Sequence, residues 1–348
     1  MTKDARILDL LGIELPILQA PMAGAQGSDL AAAVSAAGGL GALPCAMLAP
    51  EQIRAEVAAI RARTDRPFNL NFFCHAPTPD AAREAAWRER LLPYYRETGV
   101  DPASIKAASR APFDDAFCAV VEDVRPAVVS FHFGLPADAL LARVRAAGAK
   151  ILSSATTVAE ARWLAARGCD AIIAQGAEAG GHRGMFLTTD VAAQVGTMAL
   201  TPQVVDAVSV PVIAAGGIAD ARGVAAAFAL GASAAQVGTA YLLCPEAKIS
   251  ETWRKALREA ADDSSVLTNV FSGRPARGLR NRLVNEQGPL SPHAPAFPLA
   301  SAAVAPLRAS TEPQGCGDFA SMWTGQAGPL AKERPAQQLT RELARGAG

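Results

Sequence analysis

Eight short apolar runs, separated by turns and amphipathic helical patterns, constrain the fold of this chain more than any other feature. The runs cover residues 17–20, 39–43, 68–73, 127–133, 150–154, 171–175, 210–215 and 234–241. Continuous apolar strands that alternate with helices indicate a parallel sheet buried on both faces. Because eight such strands favour closure of the sheet, the sequence predicts an α/β fold built on a (β/α)₈ TIM barrel.

An open doubly wound sheet is the main alternative for alternating strands and helices. Such a sheet is expected to carry a G-x-G-x-x-G turn after its first strand when it binds a dinucleotide. Here Ala20, Pro21, Met22, Ala23 and Gly24 follow the first run. The closed barrel is therefore the predicted architecture.

Two stretches interrupt the alternation of strands and helices. Residues 76–112 follow the third run and contain a charged helical pattern, and residues 243–348 continue after the eighth run with six prolines between 288 and 313. Long insertions on the catalytic face of a barrel usually form lids or substrate walls. We predict a barrel of residues 1–75 and 113–242, and a smaller lid lobe of residues 76–112 and 243–348 over its mouth.

The balance of charge and the spacing of cysteines exclude several classes of protein. Lys plus Arg number 33 and Asp plus Glu number 33, without blocks of like charge, so neither a nucleic-acid partner nor a polybasic membrane anchor is predicted. None of the six cysteines forms a C-x-x-C pair, which disfavours disulfides and zinc and indicates the cytoplasm. The N-terminus does not match a signal peptide, and no apolar stretch approaches the roughly 18 residues of a membrane span.

Glycine turns follow the last two predicted strands, at the end of the barrel where active sites lie. Gly216 and Gly217 follow the seventh run, and Gly238 and Thr239 lie in the eighth, within Gln236-Val237-Gly238-Thr239. Glycines let the backbone approach an anion closely, and helix N-termini direct N–H groups at it. We interpret the pair of turns as a phosphate site; the alternative is that these glycines only permit tight turns.

A histidine surrounded by four glycines follows the sixth predicted strand. His182 lies in the segment 176–184, which we expect to be a flexible loop at the barrel mouth. A histidine there can accept a proton near neutral pH, which suits general-base catalysis. The alternative is that His182 only orients a ligand or caps a helix. Glu178 and Arg183 are interpreted as an exposed ion pair of the loop.

The other histidines are weaker candidates. His132 ends the fourth run between two phenylalanines, so it is equally compatible with a substrate contact and with a core position. His75 and His293 are expected to serve structure. Because the four histidines are dispersed and no H-E-x-x-H motif is present, no metal site is predicted.

Polar groups near the first and third strands suit a planar heterocycle. Asn71 alternates with Asn69 in the third run, and a side-chain amide at a barrel mouth can hydrogen-bond a ring, although a buried strand asparagine can also be purely structural. The turn that contains Ala20, Pro21 and Met22 offers backbone groups to the same ring.

Taken together, these segments resemble the nitronate monooxygenase family, formerly called 2-nitropropane dioxygenases. The matching segments are residues 19–24, 38–41, 69–71, 130–134, 176–184, 215–218 and 236–239. They occur in this order across the predicted barrel, and residues 271–277 extend the likeness beyond it. The glycine-rich histidine segment is the most specific of them.

The resemblance implies a site for non-covalently bound FMN and a reaction that oxidises alkyl nitronates with O₂. Asn71, Gln175, Gly180, Gly217 and residues 236–239 match the family's FMN contacts, with Gly217 and the last group at the phosphate. His182 matches the base or substrate-positioning residue. Implied partners are a small nitronate or nitroalkane and O₂, with a homodimer as one open arrangement.

One departure from the family pattern leaves the substrate open. Tyr94, Tyr95 and Tyr241 are the only tyrosines, and residues 291–308 contain neither tyrosine nor lysine, whereas the family's better nitronate oxidisers are expected to carry both there. The alternative function is an NAD(P)H-dependent FMN reductase that acts on quinones or enoyl thioesters. A flavin-binding regulator without turnover is a third class, which a titratable histidine at the mouth disfavours.

Overall fold

The computed structural model describes residues 6–76, 78–105 and 110–348. Residues 77 and 106–109 of the predicted lobe segment therefore lie outside the described residues. The strands are β1 Ile17–Gln19, β2 Gly41–Pro44, β3 Phe68–Phe73, β4 Val128–His132, β5 Lys150–Ala155, β6 Ala171–Gln175, β7 Gly181–His182, β8 Val212–Ala215, β9 Ala234–Val237, β10 Ser265–Thr268 and β11 Ala276–Leu279. The helices are α1 Arg6–Leu11, α2 Ser28–Ala36, α3 Pro50–Arg61, α4 Ala81–Thr98, α5 Asp115–Val124, α6 Asp138–Ala146, α7 Val158–Ala166, α8 Thr197–Ala207, α9 Ala221–Ala229, α10 Glu251–Arg258, α11 Arg282–Gln287, α12 Ala300–Thr311 and α13 Ala336–Ala344.

The eight strands predicted from the apolar runs form one parallel sheet that closes on itself. Their order is β1-β9-β8-β6-β5-β4-β3-β2, and a parallel bridge between Leu18 and Leu40 joins the two edges. At this seam the Gln19 N–H donates to the Leu40 carbonyl over 2.9 Å, and the Leu40 N–H donates to the Ile17 carbonyl over 2.9 Å. The predicted TIM barrel is confirmed.

Apolar side chains fill the N-terminal half of the barrel. Leu18, Val128, Leu152 and Ile213 belong to one buried cluster inside the sheet, and Ile7 of α1 joins it. These residues lie at or near the beginnings of their strands, so α1 packs against the N-terminal end of the barrel. Because that end is filled, the cavity inside the barrel lies toward the C-terminal ends of the strands.

The eighth strand is shorter than its apolar run. The apolar run extends to residue 241, but β9 ends at Val237 and a 3₁₀ turn, Thr239–Tyr241, follows. Tyr241 is fully buried and its hydroxyl group lies 2.8 Å from the hydroxyl of Thr340 in α13. Residues 240 and 241 are apolar because they pack against α13 outside the barrel. Their hydrophobicity therefore reflects burial and does not indicate a strand.

The two segments assigned to the lobe pack against each other. Trp87 and Leu91 of α4 share a buried cluster with Val304 and Leu307 of α12, and the Tyr95 hydroxyl donates to the Ala303 carbonyl over 2.6 Å. The proline-rich stretch thus contains a helix. The last helix behaves differently, because α13 packs with α2 and α9 on the outside of the barrel. The division into barrel and lobe stays a prediction.

A small antiparallel sheet ties the histidine segment to the C-terminal part of the chain. Its order is β10-β11-β7, and it pairs His182 with Ala276. The sequence did not predict this sheet, because β7 consists of two residues only. One of them is Gly181, and Gly180 precedes the strand. The predicted loop is therefore fixed in part by backbone pairing to a segment almost a hundred residues later.

Candidate active site

A cavity lies at the C-terminal ends of the barrel strands. Every predicted site residue except Val237 lines it, namely Ala20, Pro21, Met22, Asn71, His132, Gln175, Gly180, His182, Gly216, Gly217, Gln236, Gly238 and Thr239. Residues from outside the barrel strands complete the wall, namely Arg110, Trp253, Trp323, Gly325 and Ala327. Val237 is fully buried in the cluster outside the sheet, because side chains alternate along a strand and Gln236 takes the inward position.

At one end of the cavity the lining consists of backbone. Gly216 and Gly217 have φ of 114° and 70°, which only glycine adopts without strain. Within the described residues, no hydrogen bond engages the N–H groups of Gly217 and Gly238. Thr239 Oγ1 accepts the Gly325 N–H over 2.9 Å, which leaves its own hydroxyl hydrogen to donate. Unused donors at a glycine turn are suited to an anion such as phosphate.

At the other end the lining consists of aromatic side chains and His182. The centre of the imidazole lies 5.2 Å from the ring centre of Phe297 and 5.3 Å from that of Trp323. Its Nε2 lies 2.9 Å from Ser272 Oγ. The His182 carbonyl accepts N–H groups from His132 Nε2 over 3.1 Å and from Gln175 Nε2 over 3.0 Å. Ring and backbone of His182 are therefore both held.

The expectation of an exposed ion pair between Glu178 and Arg183 is wrong. Arg183 is fully buried and donates to the carbonyls of Gly176 over 2.6 Å and Gln175 over 2.7 Å. Glu178 instead accepts the N–H and hydroxyl groups of Thr197. The glycine-rich backbone turns inward and leaves carbonyl groups without strand partners, and the arginine satisfies them.

Burial keeps both cavity histidines neutral. It is the first cause that lowers the pKa of His182 well below its usual value, and the positive charge of Arg110 is the next. Burial also lowers the pKa of His132 to about 4. Because a carbonyl can only accept, His132 Nε2 carries its hydrogen toward His182, and its Nδ1 accepts from Ser154 Oγ, 3.1 Å away. At neutral pH His182 is thus able to accept a proton.

Of the other polar residues discussed above, Asn71 lines the cavity and His75 contacts the backbone of a lining residue. Asn71 donates to the Ser130 hydroxyl over 2.9 Å and lines the cavity, whereas Asn69 donates to the same hydroxyl over 2.8 Å without reaching the lining. His75 Nε2 lies 3.1 Å from the Arg110 carbonyl. This contact holds the backbone of Arg110, and the structural role of His75 stays a prediction.

Sequence reasoning missed further residues in and around the cavity, among them Arg110, Trp323, Ser272 and Phe297. Ser272 lies within the motif at 271–277, so the likeness to the family was a signal for it. Arg110, Phe297 and Trp323 come from segments without a recognisable motif. Arg110 and Trp323 reach the cavity wall, and Phe297 reaches the His182 ring, because segments outside the barrel strands pack over the C-terminal ends of the strands.

Among the described residues, no group of three or more His, Cys, Asp or Glu side chains could hold a metal ion. In the same residues, every helix is too short or too polar to cross a membrane.

Comparison with known proteins agrees with this geometry. The family described as "Nitronate monooxygenase" matches residues 4–346. A nitronate monooxygenase from Pseudomonas aeruginosa is 44% identical over 342 residues, which cover 97% of either chain. The crystal structure of nitroalkane oxidase from Streptomyces ansochromogenes has 39% identity and a TM-score of 0.89, and covers 97% of this chain and 96% of that one.

A more distant likeness links the chain to another enzyme. FabK from Thermotoga maritima has 28% identity and a TM-score of 0.73, with 99% of this chain and 96% of that chain covered. Both measures are lower than for the nitroalkane oxidase. Flavin dependence is general among nitronate monooxygenases. With a match over nearly its whole length, the chain belongs to the nitronate monooxygenase family of enzymes.

Proposed function

We propose that the protein binds FMN in this cavity and oxidises alkyl nitronates with O₂. The observation that carries the proposal is a buried, neutral imidazole, His182, in one cavity with two glycine turns. Within the part of the chain that the structure describes, the Gly217 and Gly238 N–H groups of these turns have no hydrogen bond. Membership of the nitronate monooxygenase family supports the same reaction.

The residues that line the cavity are chemically suited to bind FMN. Gly216, Gly217 and residues 236–239 would hold the phosphate through backbone N–H groups and the Thr239 hydroxyl, with Val237 contributing only backbone. The ring would be bordered by the turn at Ala20–Met22 together with Asn71, Gln175 and Gly180. The unused N–H groups at Gly217 and Gly238 support this orientation, and the sequence contains no adenosine-binding motif that would favour a larger flavin.

When bound, the flavin supplies the transfer of electrons from the organic substrate to O₂. The protein's own contribution is acid–base chemistry and exclusion of water. A neutral nitroalkane must lose a proton from its α-carbon, and His182 is the candidate to take it. It is neutral, and only its Nε2 is hydrogen-bonded among the described residues, whereas both ring nitrogens of His132 are engaged. A nitronate has already lost that proton, so it needs His182 only for positioning.

The surroundings of His182 orient it for this task. His132 and Gln175 hold its carbonyl, and Ser272 holds Nε2. Phe297 and Trp323 pack beside the ring and exclude water. A base whose ring is held in one orientation loses little entropy when the substrate arrives. In this proposal His132 acts by positioning His182 as well as by bordering the substrate.

An NAD(P)H-dependent FMN reductase that acts on quinones or enoyl thioesters is the second candidate. The structural likeness to FabK is the observation that favours it, and barrel flavoenzymes can bind a nicotinamide without a separate dinucleotide fold. The lower identity and TM-score of that likeness rank it second.

The spectrum of the purified protein under anaerobic conditions tests the proposal. We expect a yellow protein that releases FMN on heating and whose visible absorbance bleaches on addition of an alkyl nitronate. Air should then restore the colour. Bleaching by NADH or NADPH and not by the nitronate would favour the reductase instead. A colourless protein that cannot be reconstituted with FMN would refute both.

A further inference from the structure

The cavity wall contains a positive side chain with which no acid of the described residues pairs. Arg110 lies in the wall of the cavity beyond the barrel strands. We infer that Arg110 binds the negatively charged group of the substrate and makes the enzyme selective for the nitronate anion over the neutral nitroalkane. The inference deepens the proposed function and rests on its assignment of this cavity to the substrate.

The position of Arg110 places its charge at the His182 end of the cavity. Its guanidinium carbon lies 5.5 Å from the ring centre of Phe297, and the centre of that ring lies 5.2 Å from the imidazole of His182. The same phenylalanine thus contacts the arginine and the histidine. The His75 contact to the Arg110 carbonyl holds the backbone at this point.

The other arginines near the cavity have hydrogen-bond partners. Arg183 donates to two carbonyls, Arg277 donates to the Ala177 carbonyl over 3.0 Å, and Arg274 donates to the Met185 carbonyl. Within the described residues, the Arg110 side chain has no hydrogen bond or ion pair. Its pKa is lowered by burial and then by the positive charge of Arg308, and no acid acts on it.

The acidic residue in the cavity wall does not compensate this charge. Glu178 is the single acid among the lining residues that the structure describes, and its carboxylate oxygens accept from Thr197 at 2.8 and 2.9 Å. Its charge acts on the pKa values of Arg183 and Arg277 instead. The His182 end of the cavity is therefore electropositive, and an anion is the ligand that would balance it.

A nitronate group suits an arginine in shape as well as charge. Its two oxygens lie in one plane and share the negative charge, which matches the planar fork of a guanidinium. A neutral nitro group has the same shape without the net charge. Loss of a charge-assisted hydrogen bond corresponds to about a 10- to 100-fold loss of affinity, so removal of Arg110 should affect the anion far more than the neutral form.

Replacement of Arg110 by an uncharged side chain of similar length tests the inference. In Arg110→Met we expect the KM for an alkyl nitronate to rise about 10- to 100-fold, while the KM for the parent nitroalkane changes less than about threefold. For Arg110→Lys we expect a KM for the nitronate between those of the wild type and Arg110→Met, because lysine keeps the positive charge but lacks the planar guanidinium group. Arg308→Met is the matched control: it removes a nearby charge outside the cavity wall and should leave both KM values unchanged.

Measured flavin content and thermal unfolding would verify that each variant is folded. If Arg110→Met binds the nitronate as the wild type does, or loses both substrates equally, Arg110 is not the anion-binding residue. A general field effect, rather than contact, would be indicated if Arg308→Met raised the KM for the nitronate as much as Arg110→Met; this too would overturn the inference.

A readout without turnover separates this inference from the proposed function. Nitrate is a planar, unreactive anion that resembles the nitronate group, and it should raise the melting temperature of the wild type relative to chloride but not that of Arg110→Met. That result, in a wild type that does not oxidise nitronates, would keep the anion site and reject the proposed activity. Equal effects of nitrate on both proteins would reject the anion site.

Discussion

The two ends of the cavity are built by different means. At the ends of β8 and β9 the lining is backbone, shaped by Gly216, Gly217 and Gly238, and each turn is encoded by a few consecutive residues. At the other end the lining is side chain, and His182 is surrounded by residues from widely separated segments, namely Phe73, Arg110, His132, Ser272, Phe297 and Trp323.

This difference separates the properties of the site that follow from a few consecutive residues from those that depend on tertiary packing. A glycine turn at a strand end forms wherever the strand and the following helix form. The pKa of His182 is lowered only after the C-terminal residues cover the barrel, since burial is the main cause of that lowering. Ligand retention should therefore depend on the first end, and proton transfer and substrate choice on the second.

The largest expected effect is at His182. His182→Asn should retain FMN and lose about 10²- to 10⁴-fold in kcat/KM with a neutral nitroalkane, the usual contribution of a general base. With the preformed nitronate the loss should be much smaller. In the wild type, kcat/KM for the nitroalkane should fall on acidification only below the ordinary histidine pKa, because the lowered pKa keeps His182 neutral down to lower pH.

Steady-state assays of both substrates in the same variant provide the measurement. His293→Asn is the control, since His293 is exposed and outside the cavity wall. Near-wild-type activity of His182→Asn on both substrates would show that His182 is neither base nor binder, and His132 would become the next candidate. A parallel loss with the nitronate would indicate that the imidazole positions the anion.

The second effect concerns the backbone end of the cavity. Gly238 has φ of −115°, outside the left-handed region that favours glycine, and its Cβ would lie 3.4 Å from the Ala20 side chain, beside the cavity. Gly238→Val should weaken FMN binding by about 10- to 100-fold, because the added atoms displace the phosphate from the N–H donors. Gly217→Val should lose FMN altogether, since its φ of 70° adds backbone strain.

Fluorescence titration of the apoprotein with FMN would measure both affinities. Gly99→Val is the control for strain alone, because Gly99 has φ of 66° with open space around a Cβ and lies away from the cavity wall. It should lower the melting temperature and leave FMN affinity unchanged. If Gly217→Val retains full flavin occupancy, the phosphate does not bind at this turn.

A smaller effect is expected at Ser272. Ser272→Ala removes the group 2.9 Å from His182 Nε2, which frees the ring to rotate and should lower kcat for the neutral nitroalkane about 3- to 10-fold. The KM and the rate with the nitronate should change little, and Ser272→Thr should restore kcat because it keeps the hydroxyl. Equal losses with both substrates would indicate that Ser272 only supports the fold.

The smallest effect should come from the predicted lobe. Phe297→Leu removes ring contacts to His182 and Arg110 and should change KM for alternative nitronates about 2- to 5-fold, with flavin content unchanged. Leu290→Ala, in the same proline-rich stretch but 44% exposed, is the control and should have no effect. Unchanged selectivity in Phe297→Leu would favour a purely structural lobe.

The barrel could be predicted because each strand is a local apolar run, and the glycine turns could be predicted because each is contiguous. Arg110 could not, since a lone arginine in a polar segment carries no sign that Phe297 will pack beside it. The pairing of His182 with Ala276 was missed for the same reason. Arg183 was misjudged because sequence alone does not reveal which carbonyl groups a glycine-rich turn leaves unpaired.

The pairing of β7 with β11 has a consequence for the order in which the protein is made. Synthesis proceeds from the N-terminus, so all eight barrel strands leave the ribosome before Ser272 and β11 do. A nascent chain can therefore assemble the glycine turns that we assign to the cofactor while its histidine still lacks its hydroxyl and strand partners. Proton-transfer chemistry would begin only once the final third of the polypeptide is translated.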